Sequence, residues 1–160
     1  MSGEDIRTVV LYCTNVMVDD TGAVVRLMPQ LIGELSAVVN VTAMCGNEAQ
    51  ADRVRRAYAG VVKIVTIGSD SGSGEGSVLE ELVHRETLNG TSTLFVDHNP
   101  KRCMRAVRMG IPAGVFVDAP RLYRDLGLWG ILPLNHSLHD VEAHLTGLGA
   151  AQADPGAERK

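Results

Sequence analysis

Five short apolar runs alternate with segments of helical periodicity, and no other feature constrains the fold as much. Residues 8–13 (TVVLYC), 37–42, 61–67, 93–96 and 114–117 read as strands. They are continuous rather than alternating in polarity, as strands buried on both faces are. Between the first two, RLMPQLIGELS (26–36) carries Leu27, Leu31, Ile32 and Leu35 at helical spacing. Pro29 fits only a first turn, so that helix starts near Met28. Residues 47–59 form a polar helix with Asn47 as cap. Ser77 caps VLEELVHRETL (78–88), with Glu80 as the capping-box acid. Residues 120–128 and 137–148 also read as helices, and the small polar residues 149–160 as a disordered tail. Strands separated by helices predict one α/β domain over 1–148, a three-layer Rossmann-like parallel sheet with helices on both faces.

The remaining bounds are broad. A chain of 160 residues can bury its own core as one domain. A net charge of −4 gives no general reason to expect nucleic-acid or membrane binding. No apolar run approaches the roughly 20 residues of a membrane span. MSGEDIRTVVLY lacks the basic start and small-residue cleavage site of a signal peptide, so a cytoplasmic location is expected. Cys13, Cys45 and Cys103 are odd in number and widely spaced, which reads as free thiols in a reducing compartment.

The stretch TLFVDHNPKRCMRAVRMGIPAGVFVD (93–118) is the most informative. A strand ends in Asp97, a short turn follows, and a helix leads to Gly110 and a second strand. Phe95-Val96-Asp97-His98-Asn99-Pro100-Lys101, then Ala106, Met109-Gly110-Ile111, Val115-Phe116-Val117-Asp118 and Leu122…Leu126-Gly127-Leu128 resemble the haloacid dehalogenase superfamily, in its small phosphatase-like branch. The resemblance spans about residues 7–148. More loosely, residues 14–19 (TNVMVD) resemble the end of that family's first motif, Asp-x-Asp-Gly-(Thr/Val)-Leu-x-Asp. The resemblance implies an α/β hydrolase fold with its site at the carboxyl ends of the strands, and aspartyl-phosphate chemistry with magnesium.

The departures from that pattern bear on function. Tyr12 stands where the resemblance puts the nucleophilic aspartate, Thr14 where it puts the acid/base, and Asn15 where it puts glycine. Thr42 matches the phosphate-holding hydroxyl after the second strand. The loop GSDSGSGEG (68–76) has no lysine for the third motif; Ser73 falls nearest, and Lys63 is too early. Asp97 remains in the fourth motif, with His98 in place of the second acid. A phenol, neutral near pH 7, replaces neither a nucleophilic nor a metal-binding carboxylate. Loss of a nucleophile costs on the order of 10⁶ in rate, roughly 8 kcal/mol. One hard acid is a weak magnesium site.

The expectation is therefore a polar cleft without phosphatase chemistry, reused for a small ligand or a protein partner. Tyr12, Cys13, Asp97 and His98 are the candidates for chemistry, and Thr14, Asn15 and Thr42 for ligand contacts. No metal or other cofactor is expected; magnesium belongs only to the alternative, a conventional phosphatase. In a second register Cys13 takes the nucleophile's place, Asn15 the acid/base place and Asp20 the terminal acid, with His98 as a base approaching in space. His136, His139 and His144 lack the spacing of a helical zinc site, and 68–76 lacks a P-loop signature. Only about 30 residues separate Tyr12 from Thr42, too few for a cap domain. The apolar run Trp129-Gly130-Ile131-Leu132-Pro133-Leu134 reads either as a core edge or as a surface for association with a second copy.

Overall fold

The computed structural model describes residues 6–58, 60–66, 82–84, 90–134 and 137–153. Five strands form one sheet: β1 (Thr8–Tyr12), β2 (Asn40–Cys45), β3 (Lys63–Thr66), β4 (Thr93–Asp97) and β5 (Ala113–Val115). Their spatial order is β3-β2-β1-β4-β5, and every pairing is parallel. β1 is central and its three inner residues are buried. The continuous apolar runs are explained by that position.

Among the described residues the longer helices are α1 (Met28–Leu35), α2 (Glu48–Tyr58), α3 (Pro100–Arg108), α4 (Ala119–Leu128) and α5 (Leu138–Ala153). Alternate residues of each strand divide the core in two. Val9, Leu11, Val41, Ala43, Leu94 and Val96 pack with the buried faces of α1, α2, α4 and α5. Val10, Met44 and Phe95 pack on the other side with Ala106 of α3, Ile111 and Leu82. The helix starts are chemically specified. The Asn47 side chain accepts from the Gln50 amide at 2.9 Å, Asn99 from Lys101 at 2.8 Å, and Asp118 from Arg121 at 2.9 Å.

Several boundaries differ from the sequence reading: β3 starts at Lys63 rather than 61, and β5 spans Ala113–Val115 rather than 114–117. β2 runs over Asn40–Cys45 rather than 37–42. Residues 36–38 are a turn closing α1, with Val38 exposed, and Ala43-Met44-Cys45 carry the strand on. α5 reaches Ala153, so residues 149–153 are helix rather than tail. The loop 68–76, Ser77, Glu80 and residues 154–160 lie outside the described residues; residues 82–84, which are described, are helical. Between β1 and β2 there are only two bridges, Thr14 with Val18 and Val18 with Val24, followed by α1. Among the described residues there is no cap domain. Trp129 and Ile131 pack against the main core and Leu132 is buried, whereas Leu134 is exposed. No helix among the described residues is long and apolar enough to cross a membrane.

Candidate functional site

The Leu11–Val96 rung places Tyr12 and Asp97 side by side at the carboxyl ends of β1 and β4. Two residues after Asp97, Asn99 caps α3, and Pro100 fits its first turn. This short connection returns the helix start over the strand ends and brings Arg102 against Asp97. The Asp97 carboxylate is fully buried. Its Oδ2 accepts from Arg102 Nε at 2.5 Å. Its Oδ1 accepts from the Asn99 amide at 3.1 Å and from the Arg102 guanidinium at 3.3 Å. The same guanidinium lies over the Tyr12 ring, its Cζ 4.1 Å from the centroid. Carboxylate, guanidinium and phenol ring thus form one stack, with a two-point ion pair and a cation–π contact.

His98 stands beside the stack. Its Nδ1 is 3.3 Å from Asp97 Oδ1, close enough for charge attraction when protonated, but it is buried without an aligned hydrogen bond. Its Nε2 is 3.4 Å from Asn15 Nδ2. Asn15 has φ 66°, a left-handed conformation that glycine and asparagine accept best. That is the position where the resemblance puts glycine. The turn is closed by the Cys13 carbonyl, which accepts from Met17 at 3.0 Å and Val18 at 3.2 Å. Asp19 follows, accepting from Thr21 Oγ1 at 2.6 Å and from the amides of Thr21 and Ala23 at 2.9 Å. The Thr21 hydroxyl, then the Ala23 amide, hold its carboxyl below the usual range. Asp19 shapes the exposed turn rather than the cleft.

Tyr12, Thr14, Asn15, Asp97 and His98 therefore gather at the strand ends, the first three and His98 half-buried. Thr42 does not join them. It pairs with Val10, two rungs below Tyr12, because β2 runs three residues further than its sequence suggests. The edge position of β2 falls to Cys45 and Gly46, and a Cβ on Gly46 would lie 3.9 Å from the Tyr12 hydroxyl.

Cys13 is also elsewhere. It belongs to the larger core cluster with Cys45, on the side of the sheet away from α3. The two sulfurs are 2.8 Å apart and both residues are fully buried. The contact with the Cys45 thiol, then burial, raise the Cys13 thiol far above its usual range. The Cys13 thiol therefore stays protonated near neutral pH and lies in the apolar core, apart from the polar group at the strand ends. Cys103, on α3, lies 3.4 Å from the carbonyl oxygens of Asp97 and Gly114. Burial, then the Asp97 charge, push its thiol up to about 11.

The residue that the sequence reading missed is Arg102. It is one of four cations on α3, with Lys101, Arg105 and Arg108. One signal distinguishes it: it shares a helical stripe with the buried Ala106, four residues on, and so must point inward. Its presence also bears on how these residues would suit magnesium. Both Asp97 oxygens already accept hydrogen bonds, and a fixed cation occupies the space before them. Among the described residues no three histidine, cysteine or acidic side chains gather to hold a metal. Magnesium prefers an octahedral set of hard oxygens that it shares with water, and this donor set does not fit it.

No family model matches the sequence, and no curated protein matches it closely. Solved structures do match the fold. A HAD-superfamily hydrolase, subfamily IA, variant 1, from Geobacter sulfurreducens superposes with a TM-score of 0.55 at 12% identity, covering 69% of this chain and 89% of that one. An uncharacterised protein from Corynebacterium glutamicum gives 0.57 at 15% identity, covering 82% and 98%. At such identities the likeness establishes the architecture, an α/β haloacid-dehalogenase-like sheet.

Proposed function

We propose that this haloacid-dehalogenase-like domain is a binding protein whose polar groups at the strand ends take a small uncharged or weakly charged polar ligand, without aspartyl-phosphate chemistry. The observation that carries this reading is the Asp97–Arg102–Tyr12 stack. The acid retained from the fourth resembled motif is neutralised from within the chain. The nucleophile's position holds a ring that supports the neutralising cation. Beside the stack, the Thr14 hydroxyl, the Asn15 amide and the His98 imidazole are half-buried at the strand ends, a set suited to hydrogen bonding at low net charge. His98, between Asp97 and Asn15, also supports a second reading, in which it acts as a base on a bound substrate.

Magnesium binding and phosphatase turnover test the proposal together. Calorimetry on the wild type should show no magnesium uptake at micromolar concentrations, and p-nitrophenyl phosphate should not turn over. Tyr12→Asp alone should not create a metal site, because the Arg102 charge remains. Tyr12→Asp with Arg102→Ala should bind magnesium measurably. Magnesium-dependent turnover by the wild type, abolished in Asp97→Ala, would show the family chemistry intact and overturn the proposal.

A further inference from the structure

Cys13 and Cys45 are left unexplained by the polar group at the strand ends. They lie one residue beyond the Tyr12–Met44 rung on adjacent parallel strands, held there by the Cys13 amide, which donates to the Met44 carbonyl at 2.9 Å. Adjacent strands run about 4.8 Å apart, and cysteine Cα atoms about 4.4–6.8 Å apart can be bridged. Both side chains point to the same face, and their sulfurs meet. A single buried cysteine is an ordinary small apolar residue. Two that face each other across neighbouring strand ends, each the other's thiol partner, have chemistry available that neither has alone.

We propose that Cys13 and Cys45 are a site of reversible oxidation, an intramolecular dithiol that a peroxide converts to a disulfide. In the first step one sulfur attacks hydrogen peroxide. The O–O bond breaks, a sulfenic acid forms and water leaves. In the second step the other sulfur attacks the sulfenic sulfur. The S–S bond forms, the S–O bond breaks and a second water leaves, so two thiols and one peroxide give one disulfide and two waters. The facing thiol makes the second step intramolecular, which favours the disulfide over further oxidation. Access comes through the turn that Cys13 opens, since Thr14, Asn15 and Gly46 at the strand ends are only half-buried. Enclosure makes the first step slow compared with an exposed thiol. A dithiol reductant reverses the bond by exchange. Cys103 is excluded by position, lying on α3 against the Asp97 and Gly114 carbonyls.

The test is a thiol count on the full chain, independent of the ligand-binding proposal. The folded protein is incubated with hydrogen peroxide, with circular dichroism confirming that it stays folded. It is then denatured, alkylated and weighed. One alkylated thiol should remain of three, and peptide mapping should join the Cys13 peptide to the Cys45 peptide. Dithiothreitol before alkylation should return the count to three. Cys13→Ser and Cys45→Ser should each form no internal bridge, whereas Cys103→Ser should still form it. Three alkylatable thiols after prolonged oxidation, irreversible oxidation of Cys13 or Cys45 instead of a bridge, or a bridge through Cys103 would each overturn the proposal.

Discussion

At its carboxyl edge the central sheet meets two unlike environments, one on each face. Towards α3 lie Tyr12, Asp97 and Arg102, a buried charge with its counterion and a ring beneath it. On the opposite face lie Cys13 and Cys45, polarisable and uncharged, within the main apolar core. Tyr12, the last residue of β1, and Cys13, which follows it, open onto the two. The comparison teaches that strand alternation can place a polar site and an apolar thiol pair within one residue of each other. The polar face should depend on one pair of partners, while the thiol face draws on many small contacts.

Breaking the charge pair is the most severe test of that contrast. Asp97→Ala leaves the Arg102 guanidinium largely buried without its carboxylate, and a loss of about 3–5 kcal/mol is expected in urea unfolding. A loss below about 1 kcal/mol would mean that the stack is held mainly by its surroundings. On alkaline titration, Cys103 sharpens the comparison further. Its folded thiol is raised to about 11 from an ordinary value of 9.0. A raised folded value means that its contribution is complete below pH 9 and is lost as pH rises towards 11. Stability should fall there by up to about 1.4 kcal/mol per pH unit for this one proton, and Cys103→Ala should flatten that limb relative to the wild type.

Smaller effects belong to the turn that joins the two faces. The Tyr58 hydroxyl donates to the Met17 carbonyl at 2.7 Å from the thiol side. Tyr58→Phe should cost about 1 kcal/mol, measured by the same unfolding curves. The smallest effect is that of Asp19, whose folded carboxyl is held below its usual range by Thr21 and Ala23. Its contribution is present above the ordinary carboxylate value and lost as pH falls through the folded one. Asp19→Asn should be slightly less stable at pH 7, and the two proteins should converge in strong acid. A constant gap across pH would assign the effect to geometry instead of charge.

Strand and helix order were legible because apolar runs and helical spacing report burial directly. The position of Asp97 was legible because a strand that ends in an acid before an Asn-Pro helix start leaves it little choice. Thr42 was misplaced because Ala37-Val38-Val39 is as apolar as Ala43-Met44-Cys45, and composition alone does not fix where a six-residue strand begins. The facing of Cys13 and Cys45 depends on that same register. Arg102 was hidden among like charges, since its pairing depends on how α3 is tilted over β4, a tertiary fact. Asn15 shows the reverse: its left-handed backbone conformation agrees with the glycine position that motif comparison assigned to it.

The Arg102 guanidinium has a consequence beyond stability. A metal in such a place is borrowed from the medium, so occupancy follows supply, and chelation or competing ions can empty it. A cation that is part of the polypeptide is delivered at one per chain by translation itself. A guanidinium stays charged across the physiological range. The electrostatics around Asp97 are thus set once, when the chain folds, and should be indifferent to divalent-ion concentration thereafter.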